Sequence, residues 1–302
     1  MSNVPRLLVA IDLHRDGKTL TAGSCLATDQ AVELAKHIDA DAGVELLHSV
    51  GPDWAGGRGQ RSDIQDSAQH TLDQVADRFR AIGVAASVAI SDETPWLAIV
   101  RRVIRDRIDL VFAGRRNESS QLPLGLGSVS RQLVRKCPCT VWVAKPGGDL
   151  APRRVLAASD LSPVSERVVE YAAFVARHYR AELHVGHAFQ LRAGAELEGW
   201  MGLEEFVRRE REQRVRRLTE QVERAGGAPS VSLHATRAAP TKALLDWSAM
   251  LEPDLVVMGT VSRSRVHGLL VGKTALRLLG SLECSLLTVK PDDFVCPIAR
   301  ED

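Results

Sequence analysis

Residues 109–114, Asp-Leu-Val-Phe-Ala-Gly, return as Asp-Leu-Val-Val-Met-Gly at 254–259, an offset of 145 in a chain of 302 residues. The same offset carries Pro95 onto Pro240, Gly127 onto Gly272, Cys139 onto Cys284 and Lys145 onto Lys290. Nearer the start, the run ending Ile11-Asp12-Leu13 resembles Ser159-Asp160-Leu161 at offset 148, so the copies differ by a few residues of loop. A repeat this long is a duplicated domain, since each copy has the length of an ordinary single core. Two domains are expected, 1–150 and 151–302, with Pro-Gly-Gly at 146–148 and Pro152 reading as the linker.

Each copy alternates short apolar runs with amphipathic stretches. In the second, strands are expected at 154–159, 182–188, 230–235, 254–259 and 284–290. Helices are expected at 164–179, 203–225, 241–251 and near 272–281. The first repeats the strand order near 6–12, 44–50, 86–90, 109–114 and 139–145, with a helix over 28–39 and a poorly periodic approach at 14–27. Apolar strands without polar alternation, separated by helices, imply a mostly parallel sheet covered on both faces. The fold class is therefore α/β, as two tandem doubly wound, mostly parallel five-stranded sheets.

Charge narrows the partners. Lys and Arg number 39 against 38 Asp and Glu, so no field over the whole surface attracts nucleic acid. The arginine run Arg208, Arg209, Arg211, Arg214, Arg216, Arg217 is interleaved with Glu204, Glu205, Glu210 and Glu212, the pattern of a solvated helix face. No stretch approaches the ~20 apolar residues that span a bilayer, and the first residues lack a signal-peptide core. A cytoplasmic protein is expected, without nucleic-acid or membrane partners. The five cysteines form no zinc-type pair, and free thiols are expected.

In a doubly wound sheet, ligands settle beyond the carboxyl ends of the strands, where the strand order reverses. Asp12 ends the first strand, Gly114 ends the fourth, and Gly127-Ser128 open the next helix. A helix start offers unsatisfied N–H groups and a positive dipole end to phosphate, and Ser128 adds a hydroxyl. The same glycines also serve simple turns, with Ser128 an ordinary cap, and both readings stand on these residues alone.

The stretch Gly114 to Val143, with Gly127-Ser128-Val-Ser-Arg-Gln-Leu-Val and Cys-Pro-Cys-Thr-Val-Trp-Val, resembles the C-terminal signature of universal stress protein domains. So do Gly259-Thr-Val-Ser-Arg-Ser, Gly272-Lys273-Thr274 and Leu-Leu-Thr-Val-Lys-Pro, and the Lys-Pro-Asp-Asp-Phe ending is similar to that of E-type tandem members. The resemblance covers essentially the whole chain twice. It implies the fold shared with adenine nucleotide alpha hydrolases, and a site for ATP, with Mg²⁺, in which the Asp after the first strand and the backbone after the second meet adenine. The glycine motif holds ribose and phosphates. By position the first set is Asp12, Ser49, Gly114, Asn117, Gly127 and Ser128; the second is Asp160, Ala188, Gly259, Ser262, Gly272, Lys273 and Thr274. Asn117 and Ser262 stand where ATP-binding members carry a second Gly. Asn tolerates a left-handed backbone better than Ser, and Lys273 replaces a hydroxyl. The first half is therefore the better expected ATP site. The resemblance also implies that last strands pair across a dimer. The two halves are then expected to mimic that dimer, with Val141, Trp142 and Val143 facing Leu286, Leu287 and Thr288; a homodimer of whole chains is a further option.

Other motifs have plainer readings. Gly268-Leu-Leu-Val-Gly272-Lys273-Thr274 has three residues between its glycines where a P-loop needs four, and no strand leads into it. His184 and His187 lie three apart on a strand and so point to opposite faces; His48 and His187 occupy matching, structural positions. Arg115, Arg116, Arg263 and Arg265 read as solvated loop residues. Cys137-Pro-Cys139 has the chemistry to meet oxidants or metal, but Cys139 enters an apolar strand, where free Cys is commonly buried. The loops 51–62 and 189–202, with Trp54, Trp200 and Met201, have the residues to widen a pocket. The functional expectation is a ligand-binding signalling protein of the stress class without dedicated catalysis. The alternatives are a slow Mg²⁺-dependent ATP hydrolase and a binder of a nucleotide-sugar or acyl compound.

Overall fold

The computed structural model describes residues 5–37, 43–51, 58–115, 127–191, 202–260 and 281–300. The chain divides into two compact units, 1–151 with 285–302 and 152–284. The last strand, which the repeat assigns to the second copy, is thus grouped with the first unit.

The first unit runs β1 (Leu7–Ile11), α1 (Ala22–Ala35), β2 (Gly43–Ser49), α2 (Arg58–Arg80), β3 (Ala85–Ser91), α3 (Pro95–Asp106), β4 (Leu110–Gly114), α4 (Ser128–Lys136) and β5 (Thr140–Ala144). Its strands are parallel in the order β3-β2-β1-β4-β5. The strand assigned above to the second copy, Ser285–Val289, is the tenth in chain order, β10. It lies antiparallel to β5, with Leu286, Leu287 and Thr288 opposite Val143, Trp142 and Val141. The second unit runs β6 (Arg154–Ala158), α5 (Pro163–Tyr179), β7 (Glu182–Phe189), α6 (Leu203–Arg224), β8 (Ser230–Arg237), α7 (Pro240–Leu251) and β9 (Leu255–Gly259). Its four parallel strands follow the order β8-β7-β6-β9. In each unit the first strand lies between the second and the fourth, and the chain changes direction there. That reversal opens a crevice at the strands' carboxyl ends.

The registered matches have local causes. Pro95 and Pro240 each stand at the first turn of a helix, where the missing N–H costs nothing. Both helices close on a left-handed residue, Arg107 (φ 53°) and Glu252 (φ 42°), again 145 apart. Strand residues such as Leu8, Val9, Val111, Leu156 and Val256 are fully buried, as a sheet covered on both faces requires. In the first unit Phe112 and Trp142 stack with ring centroids 5.3 Å apart.

Three expectations need revision. α1 spans 22–35 rather than 28–39. Its buried face is built from Gly23, Ser24, Ala27, Thr28, Gln30, Ala31, Leu34 and Ala35, so small and polar residues interrupt the apolar stripe that periodicity detects. Residues 58–62 of the supposed pocket loop begin α2. Arg115 is buried rather than solvated, and its backbone N–H donates to the Ala144 carbonyl at 2.8 Å. The helix near 272–281, Arg116, Arg263, Arg265, Trp54, Trp200 and Met201 lie outside the described residues. On α6 the arginines pair along the helix, Arg208 with Glu205 and Glu212 and Arg214 with Glu210. Among the described residues no helix is long and apolar enough to cross a membrane.

Candidate functional site

At the crevice of the first unit, four separate segments meet around a cleft of about 100 Å³. Asp12 comes from the end of β1, Ser49 from the end of β2, Gly114 from the end of β4, and Gly127 and Ser128 from the start of α4. All five described residues of the first expected set line this one cleft. Asn117 lies outside the described residues. The volume is below the ~300–1,000 Å³ typical of whole-ligand pockets, so the described residues form part of a pocket wall at most. Among the described lining residues Asp12 supplies the carboxylate and none is basic. Positive potential there comes from the first-turn N–H groups of α4, whose cap residue Gly127 has no side chain to satisfy them.

Two side chains fix the position of Asp12. Its backbone N–H donates to Ser24 Oγ at 2.7 Å, and His48 Nδ1–H donates to the carbonyl of the preceding Ile11 at 2.9 Å. Burial pushes the His48 imidazole below its ordinary pKa, against the opposing pull of its bond to Ile11 and of the Asp12 charge. Ser49 is less available than its position suggested, because its hydroxyl donates to the Glu93 carbonyl. Ser130 likewise donates to the Gly114 carbonyl at 3.1 Å, tying α4 to β4.

Gly114 also has a packing role. A Cβ there would lie 2.3 Å from the backbone carbon of Gly23, and a Cβ on Gly23 would lie 2.5 Å from the Arg115 carbonyl oxygen. The close approach that requires glycine is between α1 and β4.

The second unit repeats the framework and changes the carboxylate. His187 Nδ1–H donates to the Ser159 carbonyl at 2.9 Å, and the Asp160 N–H donates to Ser165 Oγ at 3.2 Å, the counterparts of His48 and Ser24. Here, though, Asp160 Oδ1 accepts from the Ser162 N–H (3.0 Å), the Ser162 hydroxyl and the Ser165 hydroxyl (2.6 Å). Leu161 is driven to φ 59° between them. This carboxylate is spent on closing the first turn of α5. Gly259 faces Val164 Cγ1, 3.2 Å from where its Cβ would be, so a side chain fills the place that Gly23 leaves open in the first unit. Ala188 is half-buried in β7. Ser262, Gly272, Lys273 and Thr274 lie outside the described residues.

Sequence reasoning missed Ser24 and Ser165, the hydroxyls that hold the strand-end aspartates, although each lies within the first turns of the helix after its Asp. It also missed Gly186, against which the Trp247 ring packs so closely that a Cβ would lie 2.5 Å from it. The Ser162-Pro163 pair, an N-cap residue followed by a proline, was a readable sign that Asp160 would be drawn into a helix start.

A family model for the universal stress protein family matches residues 4–145 and again 152–290. The chain belongs to this family. Universal stress protein E of Escherichia coli is 25% identical over an alignment covering 100% of this chain and 99% of that one. The universal stress protein E homolog of Haemophilus influenzae is 27% identical over 64% of this chain and 66% of its own. Among solved structures, a universal stress protein from Archaeoglobus fulgidus superposes with a TM-score of 0.67 at 21% identity, covering 94% of this chain and 98% of that one. PA1789 of Pseudomonas aeruginosa, titled as functionally unknown, gives 0.71 at 19% identity, covering 96% and 94%. These last two establish the shared fold. The tandem of universal stress domains thus accounts for the repeat.

The histidines give a testable pH dependence. His234, half-buried in the second unit, is pushed down by burial, then by the neighbouring charges of His184 and Arg211; His184 Nδ1 sits 3.2 Å from its Nε2. His48 is pushed the same way in the first unit. As pH falls below the ordinary histidine value of 6.5, the unfolded chain takes up protons that the folded one resists. Stability is therefore full above that value and declines beneath it. Thermal melts at pH 7.5, 6.5 and 5.5 should show a falling Tm, with a smaller fall for His48→Gln combined with His234→Gln. An unchanged slope in that variant would remove the histidines as the cause.

Proposed function

We propose that this universal stress protein binds a nucleotide, ATP or a close relative, in the cleft of its first unit, and acts through occupancy of that cleft without dedicated catalysis. The observation that carries this reading is the convergence of Asp12, Ser49, Gly114, Gly127 and Ser128, from four segments, on one cleft roofed by a helix N-terminus. A carboxylate at one end and orphan N–H groups at the other suit a ligand with a hydrogen-bonding base and anionic phosphates. Mg²⁺ fits as a passenger of the phosphates, since it is usually held by one or two carboxylates together with phosphate oxygens and waters, and Asp12 supplies one carboxylate. The second unit is read as the lesser site, because Ser262 and Lys273 stand where the family resemblance calls for a glycine and a hydroxyl.

The antiparallel pairing of β10 with β5 supports reading β10 as an internal substitute for the strand that a second chain would contribute. A cytosolic site of action is part of the proposal and accords with five free cysteines.

Calorimetry of the full chain with Mg²⁺-ATP is expected to show binding. Asp12→Ala should weaken it roughly tenfold, the cost of one hydrogen bond to a charged group. Asp160→Ala should leave affinity unchanged and lower the stability of the second unit by about 1 kcal/mol, the cost of a lost cap. No heat and no retained nucleotide in equilibrium dialysis would remove the proposal; equal losses from both substitutions would remove the assignment to the first unit.

A further inference from the structure

One cluster of reactive side chains in the first unit lies outside the cleft. α4 ends at Cys137, which is fully buried, and Pro138 separates it from Cys139, a residue of intermediate exposure just before β5. The two sulfurs lie 3.5 Å apart. Cys139 Sγ is also 3.4 Å from the Thr140 carbonyl, so its single hydrogen is shared between that oxygen and the Cys137 sulfur. Cys296 completes the group, its thiol donating to the Lys136 carbonyl at 3.3 Å.

At the centre is Lys290, only 2% exposed. Its Nζ donates to the Val134 carbonyl and sits 4.7 Å from the centroid of the Phe294 ring. Burial lowers the amine to about 8, and the charges of the three cysteines pull it back upward. Burial also pushes the Cys137 thiol up, but hydrogen bonds from the Cys139 thiol and backbone N–H, with the Lys290 charge, outweigh it and leave Cys137 below the ordinary thiol value. Burial pushes Cys139 well above that value, and its contact with Cys137 adds to the rise. Across the 3.5 Å contact either sulfur can donate its hydrogen to the other, so a proton can move between them. Among the described residues no group of three His, Cys, Asp or Glu is arranged to hold a metal ion.

We propose that Cys137 and Cys139 are a redox-active dithiol, converted by hydroperoxides to an intrachain disulfide and restored by thiols. The proton shared across the 3.5 Å contact can pass to Cys137, which places the thiolate on the half-buried Cys139. That sulfur attacks the peroxide, the O–O bond breaks, and the leaving oxygen departs as hydroxide and takes a proton. Cys139 is then a sulfenic acid. The Cys137 thiolate attacks its sulfur, the S–O bond breaks and a second hydroxide leaves, again protonated. Two thiols and one hydrogen peroxide give one disulfide and two waters, with two electrons passing from sulfur to oxygen. The sulfurs need only close from 3.5 Å to the ~2.05 Å of a disulfide. The second copy supplies a comparison within the chain, since Cys284 matches Cys139 but Leu282 stands where Cys137 would be.

The test uses the full chain with the exposed Cys25 removed as Cys25→Ser, treated with hydrogen peroxide in native buffer, then denatured, alkylated and mapped by mass spectrometry. Cys137 and Cys139 should lose alkylation together, in a peptide lighter by two hydrogens, and regain it after dithiothreitol, while Cys284 and Cys296 stay alkylatable. The reaction should run faster in the folded chain than in urea. Lys290→Met should slow it roughly tenfold near neutral pH, as expected when a thiolate loses the ammonium charge beside it, and Lys290→Arg should slow it less. Where Lys290→Met does not fold, the comparison of native with urea-unfolded chain decides alone. A disulfide to Cys296, over-oxidation of Cys139 without a bridge, or oxidation in urea as fast as in the native state would overturn the proposal.

Discussion

Gly114→Ala is expected to destabilise the first unit by about 3 kcal/mol or more, at the upper end of what overpacking costs. The new methyl would lie 2.3 Å from the backbone carbon of Gly23 and 2.6 Å from its carbonyl oxygen. Backbone atoms have no rotamer with which to move aside, so either α1 lifts from β4 or the strand end distorts. The repeat supplies the control. Gly259→Ala meets only Val164 Cγ1 at 3.2 Å, the tip of a side chain that can give, and should cost within about 1 kcal/mol. Native-state hydrogen exchange reads each unit separately. For Gly114→Ala, amides of β1 and β4 should exchange roughly a hundredfold faster or more, while those of β6 and β9 keep their rates. Equal effects at the two glycines would mean that both serve ordinary turns, and the contact with Gly23 would carry no weight.

The two glycines look identical in the sequence because the repeat aligns them, and what separates them is a contact from far along the chain. Gly23 and Gly114 meet across α1 and β4, and no local pattern announces such a meeting. For the same reason α1 was misplaced: the start of its buried face, Gly23 and Ser24, is close-fitting without being apolar, and the apolar residues Ala27, Ala31, Leu34 and Ala35 come only later. The strands were legible because burial on both faces writes itself as an unbroken apolar run. The meeting of Asp12 with Gly127 and Ser128 was legible for a topological reason, since every strand of a parallel sheet delivers its end to the same edge. The divergence of Asp12 from Asp160 lay within reach, in Ser162, Pro163 and Ser165, yet position alone made the two aspartates equivalents. The thiol pair was visible as Cys137-Pro-Cys139, but the lysine beside it is 151 residues from Cys139 in sequence, and only β10 lying against β5 brings it there.

Ser128→Asp should separate binding from stability in opposite directions. Ser128 is exposed, opens α4 and lines the cleft. α4 has no acidic residue in its first turn and carries Arg135 and Lys136 in its last, so its N-terminal partial charge is unmet at its own end. A carboxylate there complements the helix dipole and should raise stability by about 0.3–1 kcal/mol at low ionic strength. The same carboxylate occupies the orphan N–H groups proposed to receive phosphate, and sets a negative charge against a negative ligand. Like charges brought together cost several kcal/mol, so the affinity for Mg²⁺-ATP should fall by roughly a hundredfold or more. Ser128→Ala, which removes the hydroxyl and leaves the N–H groups open, should reduce affinity by less than tenfold. Calorimetry and thermal melts on the same preparations check both directions. A stable Ser128→Asp chain that still bound ATP at the wild-type affinity would move the phosphates away from α4 and, with them, the proposed site.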